Sequence, residues 1–363
     1  MPGPITNVLL AEQKAFRERV LSELFLTRPE TRLLFPAKQE DAHQELVFAL
    51  SFILDNELNE DLVVTFARDH RAFGLTPEIA QTGLDIIRKC IREFCTDLPY
   101  SEVHVADQKL SKLSKLLVST LSEIPPPGWG KVVEVQRRSR RITVIRLECP
   151  NPIQYLPGQY LAVSSSLARG YWPHLAPALP SSDAGFIEFH LSETPELSRL
   201  AVSQPGDEWY FGPGHGNLHL SGENDALLIA RGTGLAALRA ILLDQIMRGT
   251  TNRIHLFFGA EFPGELYDLQ GLWHIAANTP WLSVTPVVEK PADEWWVGAT
   301  EHSQAPRGLH LQQVGTLAAS VSSWGTWADR EVLISGAPEW AQQTRAQLIE
   351  AGTPADNIQV LAL

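Results

Sequence analysis

The chain has 363 residues, 44% of them hydrophobic and 20% charged, with a formal net charge of −12 and a sequence pI near 5.4. That is a globular composition with room for two or three cores, and the acid excess argues against nucleic acid or an anionic membrane as partner. Cys90, Cys95 and Cys149 are too few for a disulfide framework and have no zinc-ligand company; with no leader pattern after Met1 and no apolar run of about 18 residues, a cytoplasmic protein in a reducing compartment is expected.

Residues 1–124 read as helix. Phe16, Val20, Leu21, Leu24 and Phe25 recur at helical spacing, as do Leu46, Ala49, Leu50 and Ile53. Thr76-Pro77 supplies an N-cap hydroxyl and a proline at the first helical position. The helix it opens carries Ile87, Cys90, Ile91 and Phe94 on one face. Leu110, Leu113, Leu117 and Leu121 form a last stripe, read as core packing before a partner helix. Pro125-Pro126-Pro127-Gly128 is a stiff linker.

From Trp129 to about Ser221 the period becomes two. Strands are expected at 131–135, 142–148, 160–164, 186–191 and 208–211, the pattern of a small antiparallel barrel over 129–221. The one dense basic run, Arg137-Arg138-Ser139-Arg140-Arg141, lies between two of them and reads as a solvated hairpin tip. Over 222–363, strands at 226–230, 253–258, 281–288, 331–334 and 358–361 alternate with helices at 235–247 and 340–351. That alternation predicts a parallel α/β sheet. The run Ala226-Leu-Leu-Ile-Ala-Arg breaks at Gly232-Thr233-Gly234 and resumes with helical spacing: a buried strand, a glycine turn and a helix N-terminus. Such a turn offers free N–H groups to a phosphate and lets a ligand approach the backbone closely.

Other segments fall into one order. Tyr155-Leu-Pro-Gly-Gln-Tyr160 precedes the glycine turn; Phe257-Phe258-Gly259-Ala260, then Glu265-Leu266-Tyr267, and Ser335-Gly336-Ala337-Pro338 follow it. Upstream, Phe25-Leu-Thr-Arg-Pro29-Glu30 leads to Leu33-Leu34-Phe35, and Ala67-Arg-Asp-His70-Arg-Ala-Phe73-Gly74-Leu75 runs into Thr76-Pro77-Glu78. With α, β-barrel and α/β regions in this sequence, the chain resembles the flavohaemoglobins, a globin-like domain fused to a ferredoxin-reductase-like FAD/NAD module. The resemblance implies a multidomain fold: a shortened globin-like helical domain (1–124), an antiparallel flavin-type β-barrel (129–221) and a parallel α/β NAD(P)-binding-type domain (222–363). It implies haem b with His70 as the metal ligand and Phe35, Leu21, His43 and Leu46 around it. It implies FAD on Tyr160, His174, Leu175 and Ser198, and NAD(P)H on Gly232, Thr233, Gly234, Ser335 and Gly336. Electrons would pass from NAD(P)H through FAD to haem and on to oxygen or nitric oxide. Without the family, a helical histidine such as His70 is by default a solvated or satisfied side chain. As an iron ligand it needs an acceptor for its second ring nitrogen, and Asp69 and the carbonyl of Phe66 both qualify.

The chain departs from the family where ligands would bind. Its flavin segment reads Trp172-Pro173-His174-Leu175-Ala176-Pro177-Ala178, so Pro173 replaces an arginine whose phosphate contact is typically worth about 1.5–3 kcal/mol. His174 stands for a stacking tyrosine, and Ala176 lacks a hydroxyl. Ser198 lacks the glycine expected before it, Arg231 and Ala237 replace a glycine and a proline, and Ser335 replaces a cysteine. The sequence given ends at Gln359-Val-Leu-Ala-Leu363 without the family's flavin-covering aromatic. Leu21 and Ala42 replace distal tyrosine and glutamine, leaving His43 as the nearby donor, and Asp69 and Ala80 replace the proximal lysine and tyrosine. Efficient nitric-oxide dioxygenation is therefore not expected.

Two functions from different classes follow. One is a divergent NAD(P)H-dependent flavin/haem oxidoreductase acting on small molecules, with NADH against NADPH left open. The other is a cofactor-poor sensor or partner-binding protein on the same scaffold. A reductase serving an external redox acceptor is a third. Trp295-Trp296, Trp324 and Trp327 read as local packing, and Ser303 and the remaining histidines show no catalytic or metal spacing.

Overall fold

The computed structural model describes residues 2–35, 45–168, 170–195, 197–291 and 310–363. His43, Ala42, Trp295, Trp296 and Ser303 lie outside the described residues. The chain divides into two compact units, one of Met1–Gly128, Ser164–Trp172 and Tyr210–Pro213, the other of Trp129–Val163, Pro173–Trp209 and Gly214–Leu363.

Helices build the first unit: α1 Pro4–Ala11, α2 Gln13–Thr27, α3 Leu46–Asp55, α4 Glu60–Ala72, α5 Pro77–Phe94 and α6 Tyr100–Glu123, with a 3-10 turn at Pro29–Leu34. The expected cap at Thr76 forms, and a second one at Asn59 joins it. Thr76 Oγ1 accepts from Ile79 N–H at 3.2 Å, and Asn59 Oδ1 accepts from Leu62 N–H at 3.2 Å, each satisfying a donor that the first helical turn leaves open. The stripes read from the sequence are buried: Ile87, Cys90 and Ile91 on α5, Leu110, Leu113, Leu117 and Leu121 on α6. They pack with Leu9, Phe16 and Val20 in one core. Leu21 and Phe25 form a satellite with Phe35.

Beyond the helices the described residues build two six-stranded sheets. The first contains β1 Gly128–Arg137, β2 Ile142–Glu148, β3 Tyr160–Ser165, β4 His174–Leu175, β5 Phe186–Ser192 and β6 Glu208–His215 in the order β4-β3-β6-β1-β2-β5. A four-residue helix α7, Ser198–Ala201, follows β5. An antiparallel bridge between Pro177 and Phe189, with Ala178 N–H donating to Glu188 O at 2.8 Å, links the segment after β4 to β5, the strand at the other end of the sheet. The basic run sits at the β1–β2 hairpin, its arginines exposed as expected. Two of them also carry ion pairs: Arg141 lies 2.9 Å from Glu265 Oε1 and 3.3 Å from Glu261 Oε2, and Arg137 3.2 Å from Glu193 Oε2.

The second sheet is parallel, in the order β10-β9-β8-β7-β11-β12. Its elements are β7 Ala226–Arg231, α8 Leu235–Met247, β8 Ile254–Ala260, α9 Leu269–Asn278, β9 Leu282–Val288, β10 Gln313–Val314, α10 Leu317–Ser322, β11 Glu331–Gly336, α11 Pro338–Glu350 and β12 Ile358–Ala362. Leu228 of β7 faces Leu256 of β8 on one side and Leu333 of β11 on the other, which explains why β7 is a continuous apolar run. The chain leaves β7 toward β8 and returns later to β11, so strand order reverses between β7 and β11. Ligands of open α/β sheets bind at the carboxyl ends of the strands at such a reversal. One core joins both sheets: Ile142 and Val144 of β2 pack with Leu228, Leu235, Leu238 and Ile241.

Candidate functional site

Gly232–Gly234 forms a short 3-10 turn between β7 and α8. The two glycines are there for different reasons. Gly232 has φ +55° with nothing within 4 Å of where a Cβ would stand. At Gly234 a Cβ would lie 2.2 Å from Ser335 O and 2.7 Å from Gly336 N, so this glycine permits contact between two backbones. Gly234, Ser335 and Gly336, three residues predicted to share a site, therefore meet at the strand reversal. Leu235 N–H at the start of α8 bonds back to Gly232 O and Thr233 O, and neither the turn nor α8 has a side-chain cap, so the N–H groups of the turn itself are the ones suited to an anion. Arg231 donates from Nη2 to Glu289 Oε1 at 2.9 Å, and its guanidinium carbon sits 6.0 Å from the Trp340 ring. A guanidinium already paired with a carboxylate thus stands beside the turn.

A second group forms on the antiparallel sheet. Ala162↔His174 pairing places β4 against β3, and Tyr160 has its ring centroid 5.0 Å from that of His174 and 5.9 Å from that of His215. His174 is exposed and Leu175 buried beneath it. Sequence reasoning missed His215, because nothing local marks the end of β6 as a neighbour of Tyr160. The motif Tyr155-Leu-Pro-Gly-Gln-Tyr160 has a structural cause: at Gly158, φ +90°, a Cβ would meet Leu218 O at 2.1 Å. Gln159 Nε2 donates to Gly216 O at 3.2 Å, tying the turn to the chain after β6. Pro173 brings no charge to this segment; its carbonyl accepts from Val163 N–H at 2.9 Å. Ser198 stands apart. It is exposed, and its hydroxyl donates to Pro195 O at 2.9 Å.

In the helical unit, the half-buried His70 lies in the last turn of α4. Its Nδ1 is 2.9 Å from Phe66 O. Only a protonated Nδ1 can donate there, so the carbonyl, and not Asp69, is the acceptor that sets the tautomer. Nε2 then carries the lone pair and has no hydrogen-bond partner among the described residues. Burial pushes the imidazole pKa down despite the Phe66 carbonyl and Asp69, which favours the neutral form that a metal requires. The ring stacks on Phe66 at 3.7 Å and meets Phe73 edge-on at 5.6 Å; Phe73 in turn packs 5.0 Å from Trp172 of the same unit. Phe35 packs edge-on to Phe25 at 5.2 Å, with Leu21 beside them. Leu46 and Phe35 both lie against the main helical core. At Gly74, φ +91°, a Cβ would meet Leu34 Cδ2 at 2.7 Å, so the segment ending in Phe35 and the end of α4 approach each other.

A buried polar network was not foreseen. Glu188 on β5 is 3% exposed. It receives Arg146 Nη2 at 2.7 Å, Arg239 Nη1 at 3.2 Å and His190 Nε2 at 3.1 Å. His190 Nδ1 lies 2.7 Å from the Tyr267 hydroxyl. Because the carboxylate can only accept, Nε2 carries a proton; in the neutral imidazole the phenol then donates to Nδ1. Burial pushes the Glu188 carboxyl up, but His190, Arg239 and Arg146 outweigh it and hold it at about 2.

No protein-family model matches the chain. Among curated proteins it is 28% identical over 262 residues to the phenol hydroxylase P5 protein of Acinetobacter pittii, covering 67% of this chain and 73% of that one. It is 28% identical over 214 residues to an NAD(P)H-flavin reductase of Aliivibrio fischeri, covering 56% of this chain and 84% of the relative. Among solved structures, a flavohaemoglobin from Malassezia yamatoensis, bound to FAD and haem, aligns with a TM-score of 0.60 over 99% of this chain and 98% of its own, at 15% identity. A ferredoxin NADP+ reductase from Neisseria gonorrhoeae gives 0.53 over 64% and 97% at 16% identity. At these identities the structural likenesses establish the fold, an antiparallel and a parallel sheet arranged as in ferredoxin reductases and preceded by helices. No helix among the described residues is long and apolar enough to cross a membrane.

Proposed function

We propose that the protein is an NAD(P)H-dependent flavin oxidoreductase, with haem on His70 as the acceptor inside the same chain. The observation that carries the reductase reading is the Gly232–Gly234 turn packed on Ser335–Gly336 at the reversal of strand order. The curated relatives, NAD(P)H-flavin and ferredoxin reductases among them, support the same chemistry. Bound FAD would supply a centre that takes a hydride and returns electrons.

This chain's residues contribute binding and orientation. The N–H groups of the Gly232–Gly234 turn and the Arg231 guanidinium suit the coenzyme pyrophosphate. The ring shelf of Tyr160, His174 and His215 suits a flat flavin, with stacking in place of the charge that Pro173 lacks. His70 suits ferric or ferrous iron because its proton is fixed on Nδ1 by the Phe66 carbonyl. Leu21, Phe25 and Phe35 offer an apolar wall, and His43, the donor the sequence offers beside them, lies outside the described residues.

The test is spectroscopic. Protein reconstituted with haemin and FAD should show a Soret band and flavin absorption, and NADH or NADPH should bleach the flavin. His70→Ala should lose the Soret band and keep its flavin. Haem retained by that variant refutes the ligand assignment, and absence of both chromophores refutes the enzyme. Pro173 and Ala176 favour a second reading, a cofactor-poor binding protein, and a colourless reconstituted protein is its signature.

A further inference from the structure

The turn that would hold the coenzyme and the aromatic shelf that would hold the flavin are tied together by one side chain. Arg239 lies on α8, five residues after Gly234. Its Nη1 donates to Ala178 O at 2.9 Å and to Glu188 Oε1 at 3.2 Å. Ala178 is four residues beyond His174, and Glu188 is on β5. On the other side, Nε lies 3.0 Å from Asp268 Oδ2, as an ion pair whose geometry leaves both atoms without a hydrogen bond. Asp268 opens α9 beside Tyr267, whose hydroxyl holds His190, and His190 holds Glu188. At Gly271 a Cβ would come within 2.7 Å of Asp268 Oδ1, so the glycine gives the Asp268 carboxylate room in its present position. None of these groups is exposed enough to be a ligand contact, and most of their charge is neutralised inside the network. Fixing positions is what such an arrangement does.

We infer that Arg239 is a positioning residue that sets the distance between the nucleotide turn and the flavin shelf, acting through Ala178, Glu188 and Asp268. The inference rests on the reductase reading. Hydride transfer needs the donor carbon of the nicotinamide and the acceptor nitrogen of the flavin held in near-contact, and misplacement by about 1 Å can cost about 100-fold in rate. Removing the tie should therefore slow transfer and leave the binding of each cofactor in place.

The experiment compares wild type, Arg239→Met, Arg239→Lys and Asp268→Asn after FAD loading, by stopped-flow reduction with NADH and with NADPH. Arg239→Met should reduce its flavin about 10- to 100-fold more slowly, with flavin content unchanged and coenzyme KM within about threefold. Arg239→Lys keeps the charge but not the fork and should recover part of the rate. Asp268→Asn, which leaves Glu188 and Ala178 engaged, should slow reduction less. It also serves as the test if Arg239→Met does not fold. A wild-type rate in either folded variant overturns the proposal. So does a loss traced wholly to coenzyme KM or flavin content. Flavin that neither coenzyme reduces in the unmodified protein overturns the reductase reading, and this proposal with it.

Discussion

Alanine at Gly232 and at Gly234 should fail for different reasons, although one threonine separates them. At Gly234 the added Cβ would sit 2.2 Å from Ser335 O, 2.5 Å from Ser335 C and 2.7 Å from Gly336 N. These are backbone atoms and cannot swing aside, so the turn and the β11 end must part by about 1 Å, an overpacking cost of about 1–3 kcal/mol. At Gly232 the Cβ meets nothing within 4 Å, and the cost is that of φ +55° in an L-residue, about 1–2 kcal/mol. The two losses overlap in size, so asparagine separates them. Asparagine tolerates the left-handed region, and Gly232→Asn should regain most of what Gly232→Ala loses. Gly234→Asn should be no better than Gly234→Ala. Urea unfolding with an unchanged m-value gives the stability differences, and coenzyme-driven flavin reduction gives the functional ones. Only the Gly234 variants move the backbone at the strand reversal, so they should lose rate beyond their loss of stability. A stable Gly234→Ala reducing flavin at the wild-type rate refutes the reasoning, as does a Gly232→Asn no better than its alanine counterpart.

Glu188, whose carboxyl is held at about 2 in the fold, stabilises the protein fully above its ordinary value of 4.5 and loses that contribution as pH falls toward about 2. Glu188→Gln should therefore lower Tm markedly at pH 7 and by progressively less below about pH 4; a constant difference across that range contradicts the assignment. Burial raises all three thiols, Cys149 to about 11 and Cys90 and Cys95 upward without protein cations prevailing. Folded protein at neutral pH should therefore react with a thiol-directed disulfide reagent at well under one group per chain until denaturant is added. Pro173→Arg should raise flavin retention through gel filtration if the Tyr160–His174 shelf holds FAD, and unchanged retention argues against flavin at that shelf.

What the sequence disclosed tracks the range over which each cause acts. Residues 226–230 read as a buried strand because both its neighbours are parallel strands, and α8 was bounded correctly because a glycine turn starts it. His70 could be placed on a helix, but the choice between Asp69 and Phe66 as its acceptor needed the ring orientation. Helix α9 went unread: Gly271 interrupts its apolar spacing, and the room it leaves is filled by Asp268, whose partner Arg239 is 29 residues earlier. The same holds for Glu188, His190 and Tyr267, none of which carries a local signal. Each looks like an ordinary strand or loop residue until the two sheets are packed together.

The departures from the flavohaemoglobin pattern and the buried network bear on one question. Pro173, Ala176, Arg231 and Ser335 alter residues that would touch a cofactor, and relaxed demand on the site would produce such changes. The network does not fit that account so easily. An ion pair buried this deeply adds little net stability compared with apolar packing of the same volume, and Arg239 and Asp268 leave an imperfect contact between them. A scaffold freed of chemistry gains nothing from keeping the turn and the shelf in register. On the proposed reading, the charged tie holds turn and shelf in register for electron delivery between the two rings, whatever acceptor finally receives the electrons.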